Sequence, residues 1–544
     1  MSSIQQYSII KYFQIFLACL LLSCLPLPQF VGESGVALFP FIPSLQGSSA
    51  LAALCLAFVA SMFIPSSVQF FQSFRQSGYK LSTFLSKVKL FNITKIDLAV
   101  LILYLAAVVA TFASYFFKES LSGLSKYTLY FFLYLAFRAL IQNRQDIYLL
   151  FAAALIGSLW VSLEGLWQVL FGAQALATWE DPNIHISEQL NRVYSTLLNP
   201  NLLSAYLLLL WPLAVACLTF WNEKIFISIN NFFVQLKRIS SKFPPTRGLG
   251  GNNTSSKFAL PKGLEGNPTQ EKETKPLNKL SSGGLFCVCA LCAVALLQIF
   301  ITFQTGSRGA WLGLGAQLLV LLVIVYFVTR STWLLIVSGV LCVGAVLIAL
   351  SKVSVLNRLL SIFSSYDHSS NSFRLHVWKA CWQIFIENIF FGIGPGSKAF
   401  YEAYGIYMDS KYSALGAYSL PIEVAVEMGL LGLGSLMFFV ICLWQAAGQT
   451  LKSLISTTSS STEVRSGDIS SQPSSGEVQK TSLEDKLNGG VFISTAILLG
   501  LLGLLISALF DIVILRPQVQ IIFWMLIAVL SFYHSQHISS SKNG

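Results

Sequence analysis

The chain has 544 residues, 54% of them hydrophobic and only 11% charged, and its formal net charge is +11. That apolar share exceeds what a water-soluble core needs, so composition excludes an ordinary soluble protein and implies a chain that crosses a membrane many times. The 35 Lys and Arg against 24 Asp and Glu are spread over many short connections, which argues against a nucleic-acid surface and fits basic residues held on the cytoplasmic side during insertion.

A helix needs about 20 apolar residues to cross the roughly 30 Å of hydrocarbon in a bilayer. By that measure the sequence predicts about twelve spans. They are Tyr12–Leu27, Ser49–Ile64, Leu98–Phe117, Tyr127–Ile141, Ile147–Phe171, Leu202–Trp221, Leu285–Phe303, Ala310–Val328, Trp333–Leu350, Leu430–Ala447, Val491–Phe510 and Val519–Tyr533. The expected fold is therefore an all-α polytopic membrane protein with both termini cytoplasmic. The first span follows Lys11 and runs into LPLPQF with no small-residue cleavage site, so it reads as a retained helix.

Residues 1–221 hold the first six spans, 285–350 the next three, 420–447 the tenth, and 490–544 the last two with a tail. Residues 222–284, with PPTRGLGGNNTSS and NPTQEKETKP, and 448–489, with STTSSSTEVRSGDISSQPSSGE, have the composition of disordered cytoplasmic linkers. IFISINNFFVQLKRI, from Ile225, has the pattern of an amphipathic helix on the membrane surface. Of the ten cysteines only Cys381 lies outside the predicted spans, and the spacing in CVCALC scatters its thiols around a helix, so the cysteines read as packing residues and no metal is expected.

The outer side carries the chemistry. Gly172 to Asn201 ends in RVYSTLLNPN, and the large outer (periplasmic) loop, 351–419, contains SSNSFRLHVWKACWQIFIENIFFGIGPGS. Ser372 is a helix-cap candidate there, and Leu375, Trp378, Trp382 and Phe385 recur at helical spacing, predicting a helix on the outer membrane interface. It should stop at Gly392, Gly394, Pro395 and Gly396, where the backbone can approach a ligand closely. In FQTGSRGAWLGLG, Arg308 stands between two apolar runs, and with Arg192, Arg374 and Arg516 it makes four arginines at the outer ends of spans. Arginine offers planar paired donors that suit phosphate or carboxylate oxygens, so the set points to an anionic, lipid-linked substrate such as a diphosphate. The plainer reading is that each arginine snorkels to lipid head groups or caps a helix C-terminus.

RVYSTLLNPN, TGSRGAWLGL, the FRLHVW helix with GIGPGS, and EVAVEMGLLGLG, in this order, resemble the O-antigen ligase and polymerase superfamily from about Ile147 to Tyr533. YSALGAYSLPIEVAVEMG and FDIVILRPQVQIIFW resemble its cyanobacterial IctB-like branch, described as inorganic-carbon (bicarbonate) transporters. The superfamily resemblance implies transfer of a glycan from an undecaprenyl diphosphate carrier at the outer face, without metal, nucleotide or other cofactor. It casts Arg192, Arg308 and Arg374 as holding the diphosphate, with Glu427 of the Glu-x-Gly pair in the catalytic set, and it draws Asn199, Asn201, Ser307, Trp378, Gly394 and Arg516 in as substrate-binding residues. Where ligases of the superfamily carry His-Asn, presumed to include the base, this chain has Tyr418 and Ser419. A phenol with its usual pKa near 10 is a poor base at neutral pH, which leaves His376 or His368 as nearby substitutes. Two alternatives stay open: bicarbonate transport, and a non-catalytic membrane partner that retains the fold.

Overall fold

The computed structural model describes residues 3–24, 54–61, 93–172, 192–217, 282–329, 339, 370–408, 412–463 and 475–542. Among these the regular elements are all helical: α1 (Ser3–Cys24), α2 (54–61), α3 (Lys95–Ala113), α4 (Phe117–Leu140), α5 (Arg144–Phe171), α6 (Pro200–Cys217), α7 (Ser282–Gln304), α8 (Arg308–Thr329), α9 (Ser370–Glu387), α10 (Ser397–Tyr407), α11 (Leu420–Glu463), α12 (Ser475–Ala508) and α13 (Pro517–Lys542). Short 3₁₀ turns at Ser195–Leu197 and Val513–Leu515 lead into α6 and α13.

Seven helices among the described residues are long and apolar enough to cross a membrane: α3, α5, α6, α8, α11, α12 and α13, each in whole or in part. Ile10–Ser23 and Cys289–Gln304 are shorter apolar helices at the first and seventh predicted spans. Of the predicted ninth span only Gly339 is among the described residues, and the Ile225 stretch and His368 fall outside them. Within the described part of the Ser-rich segment expected to be a linker, α11 continues to Glu463 and α12 begins at Ser475. A helix already nucleated by a packed span can propagate into a sequence that would not nucleate one alone.

Sequence-local chemistry sets the helix starts. Thr94 and Asp97 form a reciprocal capping box at the start of α3, and Asn143 and Asp146 form another at the start of α5. The helices reverse direction at successive connections, so the loops at 114–116, 192–199, 305–307, 412–419 and 509–516 gather at one end of the bundle, here called the upper end.

Helices α6, α8 and α12 cross the middle of the bundle at close range. A Cβ on Gly313 of α8 would lie 2.4 Å from the carbonyl oxygen of Gly503 on α12, so both small residues are needed there. Beside this contact Gln317 donates from Nε2 to the carbonyls of Leu208 (2.8 Å) and Leu499 (2.9 Å), and its Oε1 accepts from the Trp211 indole at 2.8 Å. The reason is local: Pro212 has no N–H, so the carbonyl of Leu208 lacks its normal helical donor, and Gln317 supplies one from the neighbouring helix. At the lower end Asp97 accepts from the Ser531 hydroxyl at 2.8 Å and from Tyr134, and lies 3.5 Å from the Arg138 guanidinium. That cluster joins α3, α4 and α13.

Candidate functional site

The upper end begins with the loop that precedes α6. Its backbone is pinned by Gln168 of α5, whose Oε1 accepts from the N–H of Tyr194 (3.1 Å) and of Ser195 (2.8 Å), and the Ser195 hydroxyl donates to the carbonyl of Val161 at 2.6 Å. Ser195 and Leu198 hold left-handed φ values of 52° and 54°, costing of order 1–3 kcal/mol each in a non-glycine residue. The loop presents Arg192, which donates from Nε to the carbonyl of Thr305 (2.9 Å) and from Nη2 to Oδ1 of Asn201 (2.7 Å). Asn199 caps α6, its Oδ1 accepting from the N–H of Asn201 at 2.9 Å and of Leu202 at 3.2 Å. Asn201 faces both ways: while accepting from Arg192, it donates from Nδ2 to Oδ2 of Asp511 at 2.6 Å.

Asp511 is the hub. Its Oδ1 accepts from the N–H of Ile512 (2.7 Å) and Val513 (3.2 Å), and Arg374 of α9 brings Nη2 to 4.0 Å from its Oδ2. Burial raises its pKa above the ordinary carboxylate value, while Arg374, the two backbone donors and Asn201 pull in the other direction. Arg516 follows on the same connection and is near enough for its charge to act on Tyr418. Arg308 opens α8 after Gly306, which has φ +61°. A Cβ on its neighbour Gly309 would lie 3.4 Å from Cβ of Phe510, which sets the start of α8 beside the Asp511 connection. Ser307 is buried, its carbonyl accepting from the N–H of Trp311 at 3.0 Å.

Tyr418 has a left-handed φ of 51° and sits edge-on to Phe373 of α9, with centroids 5.4 Å apart. Burial, and then the charge of Asp511, push its pKa up despite the opposing arginines, so the phenol is even further from titrating at neutral pH. His376 stacks on Tyr412 at 4.3 Å. Trp378 braces the same loop by donating to the carbonyl of Ala417 at 2.8 Å, and Glu423 accepts from the N–H of Ala417.

Glu427 belongs to a neighbouring knot. Its Oε1 accepts from the N–H of Gly396 (2.6 Å), and its Oε2 from the hydroxyl of Tyr127 on α4 (3.0 Å). Helix α11 is broken at Gly429, φ 59° and ψ −152°. The turn after α9 makes up the lost bonds: Leu430 and Leu431 donate to the carbonyls of Ile389 and Phe390, and Ile393 and Gly394 donate back to Val426 and Glu427. Gly394 takes φ +94°, and a Cβ there would meet the Ser120 hydroxyl oxygen at 2.1 Å.

The fold thus gathers Arg192, Asn201, Arg374, Tyr418 and Arg516 around Asp511, with Arg308 and Ser307 on an adjoining connection. Glu427 and Gly394 stand in the knot that carries α9, Trp378 braces the Tyr418 loop, and Asn199 shapes the backbone. Asp511 was missed as a member of this set. Its signal was the acid of FDIVILRP, five residues before Arg516 in an otherwise apolar run. Tyr127 as partner of Glu427 had no sequence signal.

Residues 293–437 match the family described as O-antigen ligase. The match runs from α7 into α11, taking in Arg308, Arg374, His376, Tyr418 and Glu427 but not Arg192, Asp511 or Arg516. It supports a membrane-bound role of the glycan ligase or polymerase kind. No match was found among curated proteins.

Proposed function

We propose that the chain handles an undecaprenyl-diphosphate-linked glycan at the outer face of a bacterial plasma membrane, in a bundle of about twelve spans whose ends alternate across the bilayer. The observation that carries this reading is the chain of contacts from Arg192 through Asn201 to Asp511 and on to Arg374, joining three separate connections into one cationic surface. Arg192, Arg308, Arg374 and Arg516 against Asp511 leave that surface net positive, which suits two phosphate groups. Arg192 is held at two donor positions, so its guanidinium is oriented before the ligand arrives.

In the transfer, an acceptor hydroxyl oxygen bonds to the anomeric carbon as the carbon–oxygen bond to the diphosphate breaks. The leaving electron pair stays on the diphosphate, where the arginines stabilise it. The hydroxyl proton goes to Asp511, a better base than Tyr418 because burial lifts its pKa from below toward neutral. Bicarbonate transport would call for cations or helix breaks at mid-depth. The described arginines instead lie at the two ends of the bundle, and the mid-depth Gln317 is occupied in bracing helices.

Binding of an undecaprenyl diphosphate glycan to the protein in nanodiscs tests this, with bicarbonate titrated separately. Losing charged hydrogen bonds worth roughly 1.5–3 kcal/mol should weaken carrier binding about tenfold or more in Arg192→Ala and Arg308→Ala. Carrier affinity equal to wild type in both variants refutes the role given to the arginines.

A further inference from the structure

The stretch from the C-terminal half of α9 to the break in α11 carries an apolar surface that the site does not use. Helix α9 buries Val377, Ala380, Cys381 and Ile384 against the rest of the upper end. Its other face leaves Trp382 and Ile386 exposed, at 62% and 53%, and the turn that follows leaves Ile389, Phe390 and Phe391 exposed, Phe390 at 66%. Water would penalise such a contiguous patch, and patches of this kind mark contact surfaces.

The contacts of this turn fix its height. Its carbonyls at Ile389 and Phe390 accept from Leu430 and Leu431, so the turn lies level with the first residues after the Gly429 break. The apolar segment of α11, Leu420–Lys452, is 33 residues long, well beyond the roughly 20 that hydrocarbon requires. The stretch from Leu430 onward supplies that length by itself, as an upper hydrocarbon edge near Gly429 requires. Leu430 and Leu431 are exposed on α11 at the same level, so the patch on α9 and its turn continues the lipid-facing surface of a span. Exposed Lys379 lies on the N-terminal side of the patch, and the carboxylate of Glu387, next to the turn, accepts from the Tyr407 hydroxyl.

We infer that the C-terminal half of α9 and the turn 388–391 are inserted into the outer leaflet, with Trp382 near the head groups and Phe390 among the upper acyl chains. Oblique insertion of a non-spanning helix anchors the arginine loops at the height of the membrane surface. The inference stands on burial and helix length, and is independent of the glycan reading.

The test uses the full chain in phosphatidylcholine liposomes with bromine on the upper acyl carbons. Emission of Trp382 is the difference between wild type and Trp382→Phe, and Phe390→Trp adds a reporter in an already exposed aromatic position. Loss of emission at both positions in brominated lipid, with none caused by aqueous iodide, is the expected result. Quenching by iodide at either position overturns the inference. So does an absence of quenching by either agent, as when a second copy of the chain covers the patch.

Discussion

Gln317 offers a sharp test because it joins the three helices whose upper ends bear Asn201, Arg308 and Asp511. Replacing it by Leu removes three close hydrogen bonds, to Leu208, Leu499 and Trp211. Bonds between helices within membranes average about 0.6 kcal/mol each, giving a base loss of about 2 kcal/mol. The carbonyl of Leu208 adds to this, since Pro212 leaves it with no helical donor, and an unpaired buried group costs roughly 1–3 kcal/mol. The expected total is about 3 kcal/mol, read from reversible unfolding in mixed micelles titrated with SDS. In a Pro212→Ala background the restored N–H can serve Leu208, so the same Gln317→Leu change should cost about 1 kcal/mol less. Equal losses in the two backgrounds would refute the account of why a glutamine stands there.

Asp511→Asn should remove an acid limb from the pH profile of transfer. A base must be unprotonated, so wild-type activity rises with pH through a pKa lying above the ordinary carboxylate value, and the amide, which cannot titrate, shows no such rise; an unchanged profile would show that Asp511 only positions Asn201 and Arg374. Gly394→Ala should destabilise by roughly 1–3 kcal/mol through its positive φ and more through the clash with Ser120, whereas Gly405→Ala, with open space around its Cβ, should be near neutral; equal thermal shifts for the two in detergent would contradict the geometry described for the turn.

Much of the helical layout was readable because spans must be apolar and of fixed length. The helix over α9 was readable from spacing, but its ends were not: it begins at Ser370, ahead of the expected cap Ser372, and ends at Glu387, before Gly392, Gly394 and Gly396. Reading was weaker wherever a helix is apolar on one side only, as in α4, whose polar residues meet Glu427, Asp97 and Ser531 on distant helices. The arginines were visible as cations next to lipid, but that Asn201 links Arg192 to Asp511 across 310 positions of sequence depends on packing that no local pattern encodes. Ser195, Leu198 and Tyr418 show no sign in the sequence of their left-handed backbones, since such strain is imposed by the surrounding contacts.

Helix α13 has 94% of its apolar window enclosed by other helices, and it is the last of the described helices to leave the ribosome. The centre of the molecule therefore stays vacant through most of synthesis, with Asp97 and Arg138 waiting for the Ser531 hydroxyl that completes their cluster. Assembly is then governed by a late insertion between helices already in the bilayer, and a chain stopped ahead of α13 would hold Asp97 and Arg138 beside each other but without the Ser531 hydroxyl that ties them to the centre.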